Sequence, residues 1–276
     1  MNLENKICLI TGATSGIGKQ TAIALAKTGA KVIFTARSKV KGENVLKEII
    51  NLSGNNKVEM MELDLASMEA IRRFADQFKS KYSQLHILIN NAGGWYKERK
   101  VSADGIELSL AANHLGPFLL TNLLLDLIKN SAPARIISVS SAAHKNVYIN
   151  FNDLEAKKEY KGFKVYSQSK LANILFTKKL AKMLEGTGVT ANCLHPGVVN
   201  TSFFNQLKIL KALLGWILIS PKKGAETSIY LATSDEVEHV TGEYFAKKKI
   251  AKTNSESRNM EIADKLWEIS KKYVNL

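Results

Sequence analysis

A chain of 276 residues with 45 % hydrophobic side chains can fill one sizeable core. With only four prolines and no repetitive or Ser/Gly-rich stretch it has no linker, so residues 1–276 are read as a single domain. The net charge of +14 permits attraction to anionic surfaces, but the Lys and Arg residues are spread along the chain, with short clusters such as Lys247 to Lys249. No aromatic-studded basic module is present, which sets nucleic acid aside as a partner.

Met1 to Lys6 carry no apolar run of signal-peptide length, and no unbroken stretch reaches the ~20 apolar residues of a membrane span. Cys8 and Cys193 have no CxxC partner and sit in apolar segments. Buried reduced thiols, suited to the cytoplasm, are expected.

Short apolar segments alternate with amphipathic ones. Lys6 to Ile10 is predicted as a strand, Ile17 to Lys27 as a helix ended by Gly29, Lys31 to Thr35 as the next strand and about 40–52 as a polar helix. Val58 to Leu63 is a third strand, and Met68 to Lys81 a helix with Ile71, Phe74, Ala75 and Phe78 on one face. Leu85 to Ile89 is a fourth strand, about 102–128 mostly helix, and Arg135 to Val139, Tyr166 to Leu184 and Val189 to Leu194 follow as strand, helix and strand. Strands apolar throughout are buried on both faces, so the sheet is parallel and covered by helices. The fold class is therefore α/β, a doubly wound Rossmann sheet whose ligand lies beyond the carboxyl ends of the strands.

The first strand runs into Thr11-Gly12-Ala13-Thr14-Ser15-Gly16-Ile17-Gly18. Glycines let the backbone turn tightly and approach a pyrophosphate, while the following helix aims free N–H groups and its positive end at it. The spacing is GxxxGxG rather than GxGxxG, and its place between strand and helix separates it from a plain turn. An NAD site usually has an acidic residue after the second strand. Here the strand ends in Ala36-Arg37-Ser38, and the Arg37 guanidinium suits a 2′-phosphate, so NADP(H) is the expected cofactor; the other reading of Arg37 is a merely exposed arginine.

Tyr166-Ser167-Gln168-Ser169-Lys170 is the strongest catalytic signal. Positions i and i+4 share a helix face, and a nearby cation lowers a phenol pKa from its ordinary ~10. Alone, Tyr-x-x-x-Lys is common on helix surfaces. It gains weight from Ser140-Ser141 after the fifth strand, Asn90-Asn91-Ala92-Gly93 after the fourth, and Asn113 in the helix beyond.

Through these residues, with Asp64 and Pro196-Gly197, the chain resembles the short-chain dehydrogenase/reductase family over nearly its whole length. The resemblance implies an oxidoreductase moving a hydride between nicotinamide and a carbonyl or alcohol. It implies that Tyr166 passes a proton to or from the substrate oxygen, that Ser141 hydrogen-bonds that oxygen, and that Lys170 lowers the Tyr166 pKa and binds the nicotinamide ribose. Asn113 would hold a water linking Lys170 to solvent, or is simply a polar residue kinking its helix. Asp64 with Leu65 would meet the adenine, Asn91, Ala92 and Gly93 its ribose, and Pro196, Gly197, Val198 and Thr201 the nicotinamide side. His144, near the serine, is a candidate substrate contact, whereas His195 reads as a packed strand-end residue. His86, His114, His144, His195 and His239 lack ligand spacing, so no metal is expected.

Asn113-His114-Leu115-Gly116, Ser169 to Phe176, His195-Pro196-Gly197 and Lys265-Leu266-Trp267 resemble the retinol dehydrogenase-like branch of that family. The branch implies a bulky apolar aldehyde, ketone or alcohol: retinoid-, steroid- or lipid-like. Many of its members begin with a membrane anchor, whereas this chain starts at its first strand, which points to a soluble or peripherally attached protein. The family is often dimeric or tetrameric, and a homodimer is one open state here. An apolar segment at about 199–222, including Leu210, Leu214 and Trp216, is a substrate flap, a packed or subunit-contact helix, or an interfacial membrane-docking helix. The competing function is a non-catalytic NADP-binding sensor or scaffold, which commonly lacks the tyrosine or lysine present here.

Overall fold

The computed structural model describes residues 3–199 and 218–276. In chain order its principal elements are β1 (Ile7–Ile10), α1 (Gly16–Lys27), β2 (Lys31–Ala36), α2 (Lys39–Ser53), β3 (Val58–Glu62), α3 (Met68–Lys81) and β4 (Ile87–Asn90). Then come α4 (Leu108–Lys129), β5 (Ala134–Val139), α5 (Gly162–Met183), β6 (Val189–His195), α6 (Pro221–Thr233), β7 (Tyr244–Ala246), β8 (Lys249–Ile250) and α7 (Met260–Val274). The strands form one sheet in the order β3-β2-β1-β4-β5-β6-β7-β8, parallel from β3 to β7, with β8 antiparallel at the edge. This is the expected doubly wound α/β sheet.

Each face carries its own core. Residues of α1, α2 and α6 pack over one side around Ile10, Phe34 and Leu231, and α3, α4, α5 and α7 cover the other around Phe74, Phe118 and Leu175. Trp267 of α7 wedges against Phe118 and Phe176, with ring centroids 4.8 and 5.7 Å away. α4 has no unbroken apolar run of spanning length, but by length and mean hydropathy it could cross a bilayer; 78 % of its apolar window is buried inside the protein, which marks a core helix. Cys8 and Cys193 are buried free thiols, and burial pushes both up to about 12.

The differences from expectation have local causes. β3 is not apolar throughout: it is an edge strand, and its Glu59 and Glu62 are part-exposed or exposed. α5 starts at Gly162 rather than Tyr166, and only glycine fits there, because a Cβ would lie 2.2 Å from the Tyr96 carbonyl oxygen. α4 starts at Leu108 rather than about 102, since Val101 bridges Glu107 and a turn fills the interval.

The chain runs from β1 outward to β3, then returns to β4 and proceeds the other way. The switch point therefore lies between β1 and β4, where a crevice opens at the carboxyl ends of the strands.

Candidate active site

The turns after β1 and β4 meet at that switch point. Asn91 Nδ2 donates to the carbonyls of Thr11 and Gly12 at 2.9 and 3.1 Å, and the amides of Asn91 and Ala92 donate to Thr11 Oγ1 at 3.0 and 3.1 Å. Gly12 has φ +67°, and a Cβ on it would lie 2.8 Å from Ala92. A Cβ on Gly18 would lie 2.5 Å from both Asn91 Nδ2 and the Gly12 carbonyl oxygen. Asn91, expected at the adenine ribose, thus also holds the glycine turn in shape.

The helix opened by this turn is left uncapped. Ser38 and Ser67 accept from backbone amides at the starts of α2 and α3, but the exposed Ser15 makes no capping hydrogen bond to α1, whose first turn has no acidic residue. Its free N–H groups and positive end are available to a phosphate. A cleft of about 680 Å³ runs from here to Tyr166. The residues present fit a dinucleotide: Gly12, Thr14, Ser15, Gly16, Ile17 and Gly18 floor one end, Arg37, Asp64 and Leu65 line the side, and Asn91, Ala92 and Gly93 form the wall. Pro196, Gly197 and Val198 line it beyond. Asp64 is held by the Ala66 amide, which donates to Oδ1 at 2.9 Å.

At the far end Ser141, Tyr166 and Lys170 converge. Burial pushes the Tyr166 phenol up to about 12, and a hydrogen bond with the Ser141 side chain draws it partly back. Lys170 lies 5.7 Å from the Tyr166 ring centroid and donates to the Val139 carbonyl at 3.0 Å; burial lowers its ammonium to about 8. Ser141 thus supplies one downward pull on the phenol, with the Lys170 ammonium close to the same ring. The two serines have separate tasks: Ser140 Oγ is buried and donates to the Lys170 carbonyl at 2.7 Å, so Ser141 is the one that meets the tyrosine.

Asn113 sits in a π-helical turn, Ala111–Leu115, within α4. Its side chain accepts from the Gly94 amide at 2.8 Å and donates to the Gly94 carbonyl and Ser169 Oγ, each at 2.9 Å. Asn113 Oδ1 and Lys170 Nζ both come within 3.1 Å of the position a Cβ on Gly93 would take. The asparagine therefore braces the loop after β4 directly above the lysine.

His144 is fully buried and does not line the cleft. Its Nδ1–H donates to the Ser141 carbonyl at 2.7 Å, and its ring meets Tyr244 edge-on at 4.9 Å. His195, expected only to be packed, does line the cleft; burial and the neighbouring His144 lower it to about 4. Thr201 and most of the segment at about 199–222 lie outside the described residues. Sequence reasoning missed Lys41 beside Arg37, and Trp95, Tyr96 and Phe163 at the cleft wall. The spacing Ser38-x-x-Lys41 was the available signal for the first, since Ser38 caps α2 through the Lys41 amide and so fixes the lysine next to the arginine. Trp95 and Tyr96 come from the loop after β4 with no pattern to mark them, whereas Phe163 lies in the first turn of α5, three residues before Tyr166, and that spacing was its available signal.

Uncapped helix, switch-point crevice and Ser–Tyr–Lys convergence define a dinucleotide-dependent oxidoreductase site, and the family model for short chain dehydrogenase matches residues 6–209. The chain belongs to the short-chain dehydrogenase/reductase family. It is 44 % identical over 275 residues to human retinol dehydrogenase 12 (Homo sapiens), covering 98 % of this chain and 86 % of that one. Among solved structures it is similar to an uncharacterised protein from Mycobacterium Paratuberculosis, with TM-score 0.82 and 32 % identity over 99 % of this chain and 95 % of that one. It is also similar to the NADP active-site complex of RhlG from Pseudomonas aeruginosa, with TM-score 0.72 and 25 % identity over 93 % and 98 % of the two chains.

Proposed function

We propose that the protein is an NADP-dependent carbonyl reductase or alcohol dehydrogenase acting on bulky apolar substrates, with Tyr166 as its acid/base. The observation that carries this reading is the meeting of Ser141, Tyr166 and Lys170 at the end of a cleft whose other end is an uncapped helix N-terminus. A bound nicotinamide would supply or accept the hydride. Tyr166 gives its proton to the substrate oxygen in reduction and takes it back in oxidation. Ser141 donates to the same oxygen and steadies the charge that develops there. Lys170, with Asn113 bracing the loop above it, supplies positive charge and holds the ribose.

Arg37 and Lys41 favour the 2′-phosphate of NADP(H), and an NADP complex among the similar folds agrees with this. Trp95 and the 57 % exposed Phe163 give the reacting end an apolar wall, and likeness to a retinol dehydrogenase points to retinoid- or lipid-like compounds. The buried free thiols suit a reducing, cytoplasmic setting. The test is optical: oxidation of NADPH and of NADH across aldehydes and ketones of rising chain length. NADPH and long apolar carbonyls are expected to win, and preference for NADH or for short charged carbonyls would overturn the reading.

A further inference from the structure

Five lysines stand together at one edge of the protein. Lys222 and Lys223 lie in the first turn of α6, while Lys247, Lys248 and Lys249 form the turn and first β8 residue of the β7–β8 hairpin; all five are exposed. One carboxylate joins the two groups: Glu226 Oε2 lies 2.9 Å from Lys223 Nζ and 3.9 Å from Lys248 Nζ. The Lys248 amide also donates to Thr227 Oγ1 at 3.3 Å. Ile250, next along the strand, is 58 % exposed.

Local stability does not account for all five lysines, since the one carboxylate between the two groups, Glu226, faces only Lys223 and Lys248. The positive end of a helix disfavours cations, and the first turn of α6 has no acidic residue to offset them. The hairpin turn has φ +53° at Lys247 and +63° at Lys248, left-handed values at which Asn-Gly is at home and a Cβ-bearing residue is strained. Bringing like charges together adds repulsion.

The patch also lies beside the cleft. Ala246 pairs with His195, and a Cβ on Gly224 would lie 2.6 Å from Val199 and 3.3 Å from Ile17; His195, Val199 and Ile17 all line the cleft.

We propose that the first turn of α6 and the β7–β8 hairpin form a docking surface for an anionic lipid bilayer, with Ile250 at the headgroup boundary and the cleft mouth held near the membrane. Lysine ammoniums act as point charges suited to a diffuse anionic layer. An exposed isoleucine suits an interface, and among the described residues of the patch no exposed aromatic is present on which a nucleic-acid base could stack. Docking stands on this surface alone; delivery of an apolar substrate from lipid rests on the function proposed above.

The experiment is flotation of the full chain with vesicles of phosphatidylcholine alone or mixed with phosphatidylserine. The variant Lys222→Gln/Lys223→Gln/Lys247→Asn/Lys248→Gly removes four charges and relieves the turn. Each lysine at an anionic surface contributes about fivefold in partition, so the variant should bind the mixed vesicles at least about tenfold more weakly. Its Tm should not fall, and turnover of a water-soluble aldehyde should match the parent. Failure of the parent to float with anionic vesicles, equal flotation of the variant, or preference of the parent for a DNA duplex over the vesicles would each overturn the proposal. Absence of aldehyde turnover in both proteins would instead count against the proposed function, leaving the flotation result to stand.

Discussion

The Asn91 side chain donates to two successive carbonyls of the glycine turn, Thr11 at 2.9 Å and Gly12 at 3.1 Å, and so couples the ends of β4 and β1. Replacing Asn91 by Ala removes both bonds and leaves part-buried carbonyls without their donor. Each such loss costs about 1 kcal/mol or more, so stability should fall by roughly 2 kcal/mol and NADPH affinity by about tenfold. Thermal melts and fluorescence titration with NADPH read the two effects, and an unchanged affinity would detach Asn91 from the cofactor site.

Tyr166→Phe keeps the ring beside Phe163, at 6.2 Å between centroids, but removes the transferable proton. Turnover should drop by about a hundredfold or more while NADPH binding stays within about twofold. Near-normal turnover in this variant would rule out Tyr166 as the acid/base.

The pH profile follows from Lys170. Burial lowers this ammonium from 10.5 to about 8, so it is charged below that pH and neutral above it. Carbonyl reduction is expected to decline as pH rises through about 8, when the charge near Tyr166 is lost. Stability moves the opposite way: between about 8 and 10.5 the unfolded lysine holds a proton the folded one has released, so this group's contribution becomes more favourable as pH rises through that window. Lys170→Met should therefore be inactive yet more stable at neutral pH, by on the order of 2 kcal/mol after allowing for the lost bond to Val139. A rate flat to pH 9.5 or beyond, or a Lys170→Met melt well below the parent, would contradict this.

Arg37→Asp replaces the cation after β2 with the acidic residue common in NAD sites. NADPH affinity should fall by about tenfold or more while NADH affinity holds or rises, because a carboxylate repels the 2′-phosphate. Lys41→Ala should give a smaller loss in the same direction. Direct titration with both cofactors decides it, and equal NADPH affinity in parent and Arg37→Asp would show that the arginine makes no such contact.

Much of the fold was legible because burial on both faces writes itself as runs such as Ile7 to Ile10 and Ile87 to Ile89, and because helix faces repeat, as with Ile71, Phe74 and Phe78. β7 and β8 were not legible: three and two residues are too few to show a period, and their strand state comes from pairing, β7 with β6 and β8 with β7. The candidate catalytic side chains could be picked out from short motifs, but their contacts with one another could not. That Ser140 faces the Lys170 carbonyl while Ser141 faces Tyr166 depends on strand-end geometry, and the placement of His144 behind Ser141 depends on the turn at Ala142–Asn146. Trp95 and Tyr96 reach the cleft wall from a loop without periodicity, so nothing in the string marks them.

The wide turn at Ala111–Leu115 amounts to one residue more than a regular helix would hold, and α4 continues on both sides of it. One residue corresponds to about 100° of rotation about a helix axis. Phe118, Leu119 and Thr121 therefore keep their core-facing register only because the helix is overfilled upstream, at the same spot that turns Asn113 toward Gly94. Core register and loop bracing share a single inserted residue, so shortening the helix there would disturb both together, and neither could drift in evolution without the other.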